Sequence, residues 1–165
     1  MDTMTIVVLI STATFVVLLL IIGLPSLVSR NWKRHRAETV DRWAADDITF
    51  LKGPVGGKFI GVESIGSIRN TPGIGFVVLT DQDLRVTRAS PSREWYIPYQ
   101  QIKGVMLLTK FMDQFSKKTP FVVVRFIEDG HKDKLAFQVN EAVDWASDLA
   151  QAAGVKLKEQ STDDD

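Results

Sequence analysis

The sequence contains no cysteine. Disulfides, thiolate nucleophiles and cysteine-bound metals are therefore excluded. Histidine occurs only twice, at His35 and His131, far apart and each in a polar stretch. A metal centre would have to rest on carboxylates. An excess of one charge is also missing, since 20 Lys and Arg balance 20 Asp and Glu. Net charge thus leaves no footprint for nucleic acid, and Tyr96 and Tyr99 alone do not make a base-stacking platform.

Catalytic signatures are absent as well. No GxSxG, HExxH, Walker loop or dinucleotide fingerprint occurs. Gly53–Gly57 is glycine-rich but lacks the Lys-Ser/Thr that would complete a phosphate loop. His131 lies between Asp129 and Asp133 in a hairpin turn, where a solvated charged turn is the simpler reading. The pairs Asp46/Asp47 and Asp81/Asp83 fall in turns or at an element end, and nothing sets them across a cleft. The chain reads as a non-enzyme, with no cofactor, no metal, no nucleic acid and no small-molecule substrate.

Charge is missing locally between Asp2 and Arg30. The run from Ile6 to Ser29 holds 24 residues, about 36 Å as a helix at ~1.5 Å per residue. A hydrocarbon core of about 30 Å needs around 20 such residues. A cleaved signal peptide would open on basic residues and carry a shorter apolar core. The run therefore predicts a retained transmembrane anchor over 1–30. Gly23 and Pro25 interrupt it near its end, as is common in such helices. Arg30, Lys33, Arg34 and Arg36 follow at once and place that flank in the cytoplasm by the positive-inside bias, with the N-terminus outside. The same four residues could attract anionic headgroups, with Trp32 as an interfacial anchor. The expected localisation is the cell membrane, single-pass, with a cytoplasmic C-terminal domain.

The 165-residue chain allows one compact domain beyond this appendage. Residues 31–57 read as a basic juxtamembrane helix and linker, ending in the turn-rich Gly53, Pro54, Gly56 and Gly57. From Lys58 onward short strands alternate with turn signals. These are Lys58–Arg69, Ile74–Thr80, Leu84–Ala89, Glu94–Pro98, Ile102–Lys110, Phe121–Glu128 and Lys134–Val139. Asp129-Gly130 is a strong hairpin cue. Phe111–Pro120 reads as a polar connection. The last element changes period: Asn140 can cap a helix whose stripe is Ala142, Ala146, Leu149 and Ala153, with Trp145 beside it and Gly154 closing it. Residues 155–165 read as a disordered acidic tail.

Seven strands and one helix bury their apolar faces best as a strongly bent antiparallel sheet or partial barrel with the helix at one end. Two stretches support this, GFVVLTDQDLRVTR (Gly75–Arg88) and REWYIPYQQIKGV (Arg93–Val105). In them Leu79-Thr80 and Leu84, then Ile97-Pro98-Tyr99, Ile102 and Val105, resemble the turn and core pattern of the bacterial pleckstrin-homology-like, or GRAM-like, membrane proteins. The resemblance covers Lys58–Gly154. It implies a bent seven-stranded antiparallel barrel capped by a C-terminal helix. Members include phosphoinositide binders and protein-interaction modules. The basic set expected around the first hairpin is sparse here, with Lys58 and Arg69 only.

On parity Arg88 follows the core-facing Leu84 and Val86, so it lies near a rim or pairs with an acid. Met106 and Leu108 oppose Val105 and Leu107, so both faces of that strand are apolar. The functional expectation is a membrane-tethered protein-interaction module or accessory subunit of a membrane complex, docking through an edge strand or through a face holding Tyr96, Met106, Leu108 and Arg85. The alternative is an anionic-lipid-sensing domain. Expected partners are membrane lipid and one or more membrane proteins.

Overall fold

The computed structural model describes residue 34 and residues 36–45, 48–65, 71–90 and 92–159. It divides into two compact units, residues 1–42 and 43–165. In the first, a helix (α1) runs over 36–45 and ends in the second unit. Arg34 Nε donates to Glu38 Oε1 at 2.7 Å, one helical turn away and fully in solvent.

The second unit is built on β1 (Phe50–Val62), β2 (Gly73–Thr80), β3 (Asp83–Ala89), β4 (Ser92–Pro98), β5 (Ile102–Leu108), β8 (Phe121–Glu128), β9 (His131–Val139) and β10 (Leu157–Glu159). These form one eight-stranded sheet in the order β10-β5-β8-β9-β1-β2-β3-β4. Two short strands, β6 (Lys110–Phe111) and β7 (Gln114–Phe115), make a separate ribbon. A helix, α2 (Ala142–Ala152), follows β9.

Alternation along the strands fills two cores. The main one takes Phe59, Val77, Leu79, Leu84, Val86, Ile97, Val105, Val122, Val124, Leu135 and Phe137, and Trp145, Ala146 and Leu149 of α2 pack into it. The residues of opposite parity, Ile60, Val123 and Ala136, form a second cluster with Phe111 and Phe121, and Met106, Leu108 and Met112 pack against it. This explains why β5 is apolar on both faces. The span Phe111–Pro120 is not merely a polar connection, because its ribbon brings Phe111 and Met112 onto that cluster. Gln138 Nε2 donates to Ser116 Oγ (2.8 Å) and to the Thr119 carbonyl (2.6 Å), fixing its return.

The expected architecture is corrected on several points. Among the described residues no helix is long and apolar enough to cross a membrane. The 11 residues of α2 span only about 16 Å, against the ~30 Å of a hydrocarbon core. This corrects the reading of a membrane-anchored single-pass protein and the cell-membrane localisation that followed from it. The run Ile6–Ser29 itself lies outside the described residues. What is seen is a mainly β unit, and its sheet has eight strands rather than seven.

The glycines at 53–57 do not separate a linker from the domain. They lie within β1, which pairs with β2 from Phe50 onward, Gly53 in an irregularity between Lys52 and Val55 and Gly56 and Gly57 in regular register with Phe76 and Gly75. The tail also contributes, since Leu157–Glu159 pairs in parallel with Val105–Leu107. Asn140 does not cap α2. The N-cap is Glu141, in the left-handed region at φ 57°, with no side-chain cap bond. The C-terminal end matches expectation more closely: Gly154 has φ +64°, and Val155 N–H and Gly154 N–H reach back to the Ala150 and Gln151 carbonyls.

Tyr99, in the short 3-10 turn Tyr99–Gln101, ties the sheet's end together by donating to the Thr80 carbonyl at 2.5 Å. Burial, with Asp83 and Asp81 nearby, pushes its hydroxyl from 10.0 up to about 12. The folded state therefore holds this proton more tightly than the unfolded chain. Its contribution is complete below pH 10 and is lost as pH rises toward about 12. Tyr99→Phe is expected to cost about 1 kcal/mol at neutral pH and to flatten that alkaline decline, as read by urea unfolding at a series of pH values.

Close backbone approach is strictest at Gly75, where an added Cβ would stand 1.7 Å from the Thr87 carbonyl oxygen. Thr87 Oγ1 also accepts from the Phe76 N–H there, at 3.1 Å. Gly75→Ala should force β2 and β3 apart and destabilise by roughly 1–3 kcal/mol in thermal unfolding, whereas Gly56→Ala, in open space, should not.

Candidate functional site

The richest chemistry lies at the β3–β4 end of the sheet, and it starts from the turn sequence LTDQDL. Thr80 Oγ1 donates to Asp83 Oδ1 at 2.7 Å and accepts the N–H groups of Gln82 (3.1 Å) and Asp83 (2.9 Å). This closes the hairpin and points the Asp83 carboxylate at Arg85. Arg85 Nε donates to Asp83 Oδ1 at 2.8 Å, and Nη2 to Oδ2 at 3.3 Å. Arg85 is 6% exposed, so this is a buried ion pair.

Alternation puts Arg85 on the face opposite Leu84 and Val86, where aromatic rings receive it. Its guanidinium lies 5.1 Å from the Trp43 ring centre and 5.0 Å from that of Tyr96. Nη1 is buried with no hydrogen-bond partner among the described residues, and the ring faces stand in for one. Trp43 also packs edge-on against Phe76 at 5.5 Å, and its indole N–H donates to the Tyr96 oxygen at 3.4 Å. Tyr96 O–H in turn donates to Glu94.

The other face of β4 repeats the theme. Phe59 and Trp95 stack at 4.2 Å with planes 11° apart. The Arg88 guanidinium lies 5.5 Å from Phe59 and 5.9 Å from Trp95, and Arg93 lies 5.0 Å from Trp95. Arg88 is buried and donates to the Thr71 carbonyl at 2.9 Å. Burial and the like charge of Arg93 lower its affinity for its proton.

Beside β4 runs a slit of about 440 Å³. One wall is β4 from Arg93 to Ile97, and the other holds Phe126, Glu128 and Asp133. Among the described residues no strand pairs with the outer edge of β4. Across the slit, β8 pairs with β5 only as far as Phe126↔Ile102, while Ile127 and Glu128 continue against β9 alone. Two strand edges thus border one opening.

No family model matches the chain, and no curated protein matches it. The pleckstrin-homology-like resemblance therefore finds no support there. Solved structures give a likeness of fold. The chain is similar to the hSac2 domain from human phosphoinositide phosphatase Sac2. Identity is 7% and the TM-score 0.55, over 78% of this chain and 90% of that one. At that identity the likeness concerns the fold alone.

The residues singled out from sequence are not brought to one place. Tyr96 and Arg85 share a face at the β3–β4 end, Tyr96 exposed and Arg85 buried. Met106 and Leu108 lie on β5, packed against the cluster beneath the ribbon, so they are not an open face. Arg30 and Lys33 lie outside the described residues. Arg34 is engaged with Glu38, and Arg36 is partly buried on α1. Trp43, Trp95 and Arg93 were missed as site residues. For Arg93 and Trp95 the signal available was basic and aromatic type at alternating positions of one short strand, whereas Trp43 lies on α1. His131 is exposed at the start of β9, opposite Glu128. Among the described residues no three carboxylates or histidines stand together as a metal set.

Truncating Arg85 alone would leave the Asp83 carboxylate buried without its cation. Arg85→Ala is expected to destabilise by about 3 kcal/mol or more in chemical denaturation. Arg85→Met with Asp83→Asn, which removes both charges, should recover much of that loss. A double variant as unstable as the single one would show that ring packing, not charge burial, dominates.

Proposed function

We propose that this chain is a non-catalytic protein-interaction module that accepts an extended segment of a partner along the edge of β4. The observation that supports this most is the slit bordered by two strand edges, β4 and the end of β8. An exposed edge offers a row of backbone donors and acceptors, and proteins usually blunt such edges. Added strands gain affinity from main-chain hydrogen bonds and specificity from pockets that take alternate side chains.

The β4 edge suits that use. It is seven residues long and set between two arginine–aromatic stacks, which hold its side chains in place before any partner arrives. Pre-ordering of this kind lowers the entropy lost on binding. Tyr96 is the exposed aromatic of the strand, and Trp95 is half-buried at the slit. The alternative docking face at Met106 and Leu108 is already covered by the chain's own ribbon.

A photocrosslinking residue at position 96 is expected to trap a partner in intact cells, and the same residue at 117, in the bend after the ribbon, is not. Trp95→Ala should reduce the yield at 96 severalfold while the protein remains folded by circular dichroism. Equal trapping at both positions, or none at 96, would remove the β4 edge as the docking strand.

A further inference from the structure

The β5–β8–β9 side of the sheet carries a second feature, which shares only Phe126 and Asp133 with the slit beside β4. Strands β5 and β8 pair with a shift between Ile102↔Phe126 and Gly104↔Arg125, so two steps on β5 face one on β8. Such a bulge turns an extra side chain toward one face. Here Ile102 and Val105 both enter the main core, and Lys103 and Gly104 are left on the outer side with Arg125. Gly104 then provides the floor. A Cβ there would lie 3.2 Å from Arg125 Nη2 and 3.3 Å from Nε, so the guanidinium lies flat against bare backbone.

Across the sheet, Arg125 stands directly opposite Lys134, and Lys132 follows two positions away on β9. Like charges facing each other across strands are destabilising. Four cations, Lys103, Arg125, Lys132 and Lys134, share a hollow of about 240 Å³ with two acids, Glu63 and Asp133. Both acids are occupied. Glu63 takes Lys134 Nζ at 2.9 Å. Asp133 Oδ1 accepts Ser64 N–H (3.0 Å) and Lys134 N–H (2.7 Å), and its Oδ2 accepts the Ser64 hydroxyl. Lys103 Nζ reaches only the Gln100 carbonyl, at 2.8 Å. Among the described residues the Arg125 guanidinium and the Lys132 ammonium have no hydrogen-bond or ion-pair partner.

We propose that this hollow binds a phosphate group, with Arg125 as the central ligand and Lys103 and Lys132 closing on it. A planar guanidinium fork with flanking ammonium groups matches the several oxygens of a phosphomonoester or diphosphate. The bound dianion would relieve the repulsion between Arg125 and Lys134, which the folded chain otherwise sustains. The phosphate could come from a soluble phosphorylated compound or from a lipid headgroup, since both present the same oxygens.

Nitrogen-15 NMR of the full chain at constant ionic strength tests this with inorganic pyrophosphate. The Arg125 side-chain N–H and the Gly104 and Lys132 amides are expected to shift saturably. Arg125→Gln should weaken binding about tenfold or more, Lys132→Gln less, and Lys117→Gln not at all. Flotation with phosphatidylcholine vesicles containing phosphatidic acid, against vesicles of matched charge containing phosphatidylserine, separates the sources. A phosphatidic-acid preference lost in Arg125→Gln assigns a headgroup, and no preference alongside the pyrophosphate response assigns a soluble ligand. No response to pyrophosphate, or an equal response in wild type and Arg125→Gln, overturns the site.

Discussion

One sheet that must bury both of its faces sets the terms for everything else in this unit. The inner face fills the main core, and α2 inserts Trp145, Ala146 and Leu149 into it. The outer face is covered piecemeal. Trp43 covers Phe76 on β2, and the β6–β7 ribbon with Met112 covers Ile60, Val123 and Ala136. Apolar area left open on either face would cost roughly 25 cal/mol per Å². Each cover is therefore bound to the sheet by the same force that forms the core. Where cover runs out, at the β4 edge and at the Arg125 hollow, the chain places arginine.

Arginine serves differently at the two ends. At Arg85 the charge is buried, answered by Asp83 and flanked by rings. Such a pair contributes little net stability against a well-packed apolar substitute, yet removing one member is costly. Its effect is to hold the hairpin turn, Trp43 and Tyr96 in one arrangement. Arg125 is half-exposed and lies along Gly104 rather than against an acid. The first arginine is a fastener and the second is available.

Much of this sheet was legible because hairpin signals act locally. Thr80 to Leu84 and Asp129-Gly130 specify their turns through side-chain caps and positive φ, and those strands appear where the alternation puts them. Glycines misled where tertiary pairing overrode them. Gly53 to Gly57 look like a linker, but β2 and β9 on either side supply hydrogen bonds that hold them in β1. Three-residue β10 has no periodicity to detect, and only the waiting edge of β5 makes it a strand. Of the site, Arg85 and Tyr96 could be found from type and position. Trp43 could not be paired with them, because its contact with Phe76 and Tyr96 spans 33 residues or more of sequence and no local pattern encodes it.

The same distinction bears on Met106 and Leu108, which are partly buried against the second cluster. A strand apolar on both faces is read equally well as an open docking surface or as one covered by a distant segment. Alternation cannot separate the two, because it records which side chains avoid water and not what covers them. The covering segment here is rich in lysine and proline, with Lys117, Lys118 and Pro120, and looks like a solvent loop. Phe111 and Met112 at its start carry the apolar surface that meets the sheet, while Phe115 stays exposed, and a two-residue strand is enough to deliver them. An edge strand is different. The outward backbone groups of an edge strand call for hydrogen-bond partners of their own, which an apolar side chain laid across a face does not provide. That is the physical ground for proposing β4 rather than β5 as the docking surface.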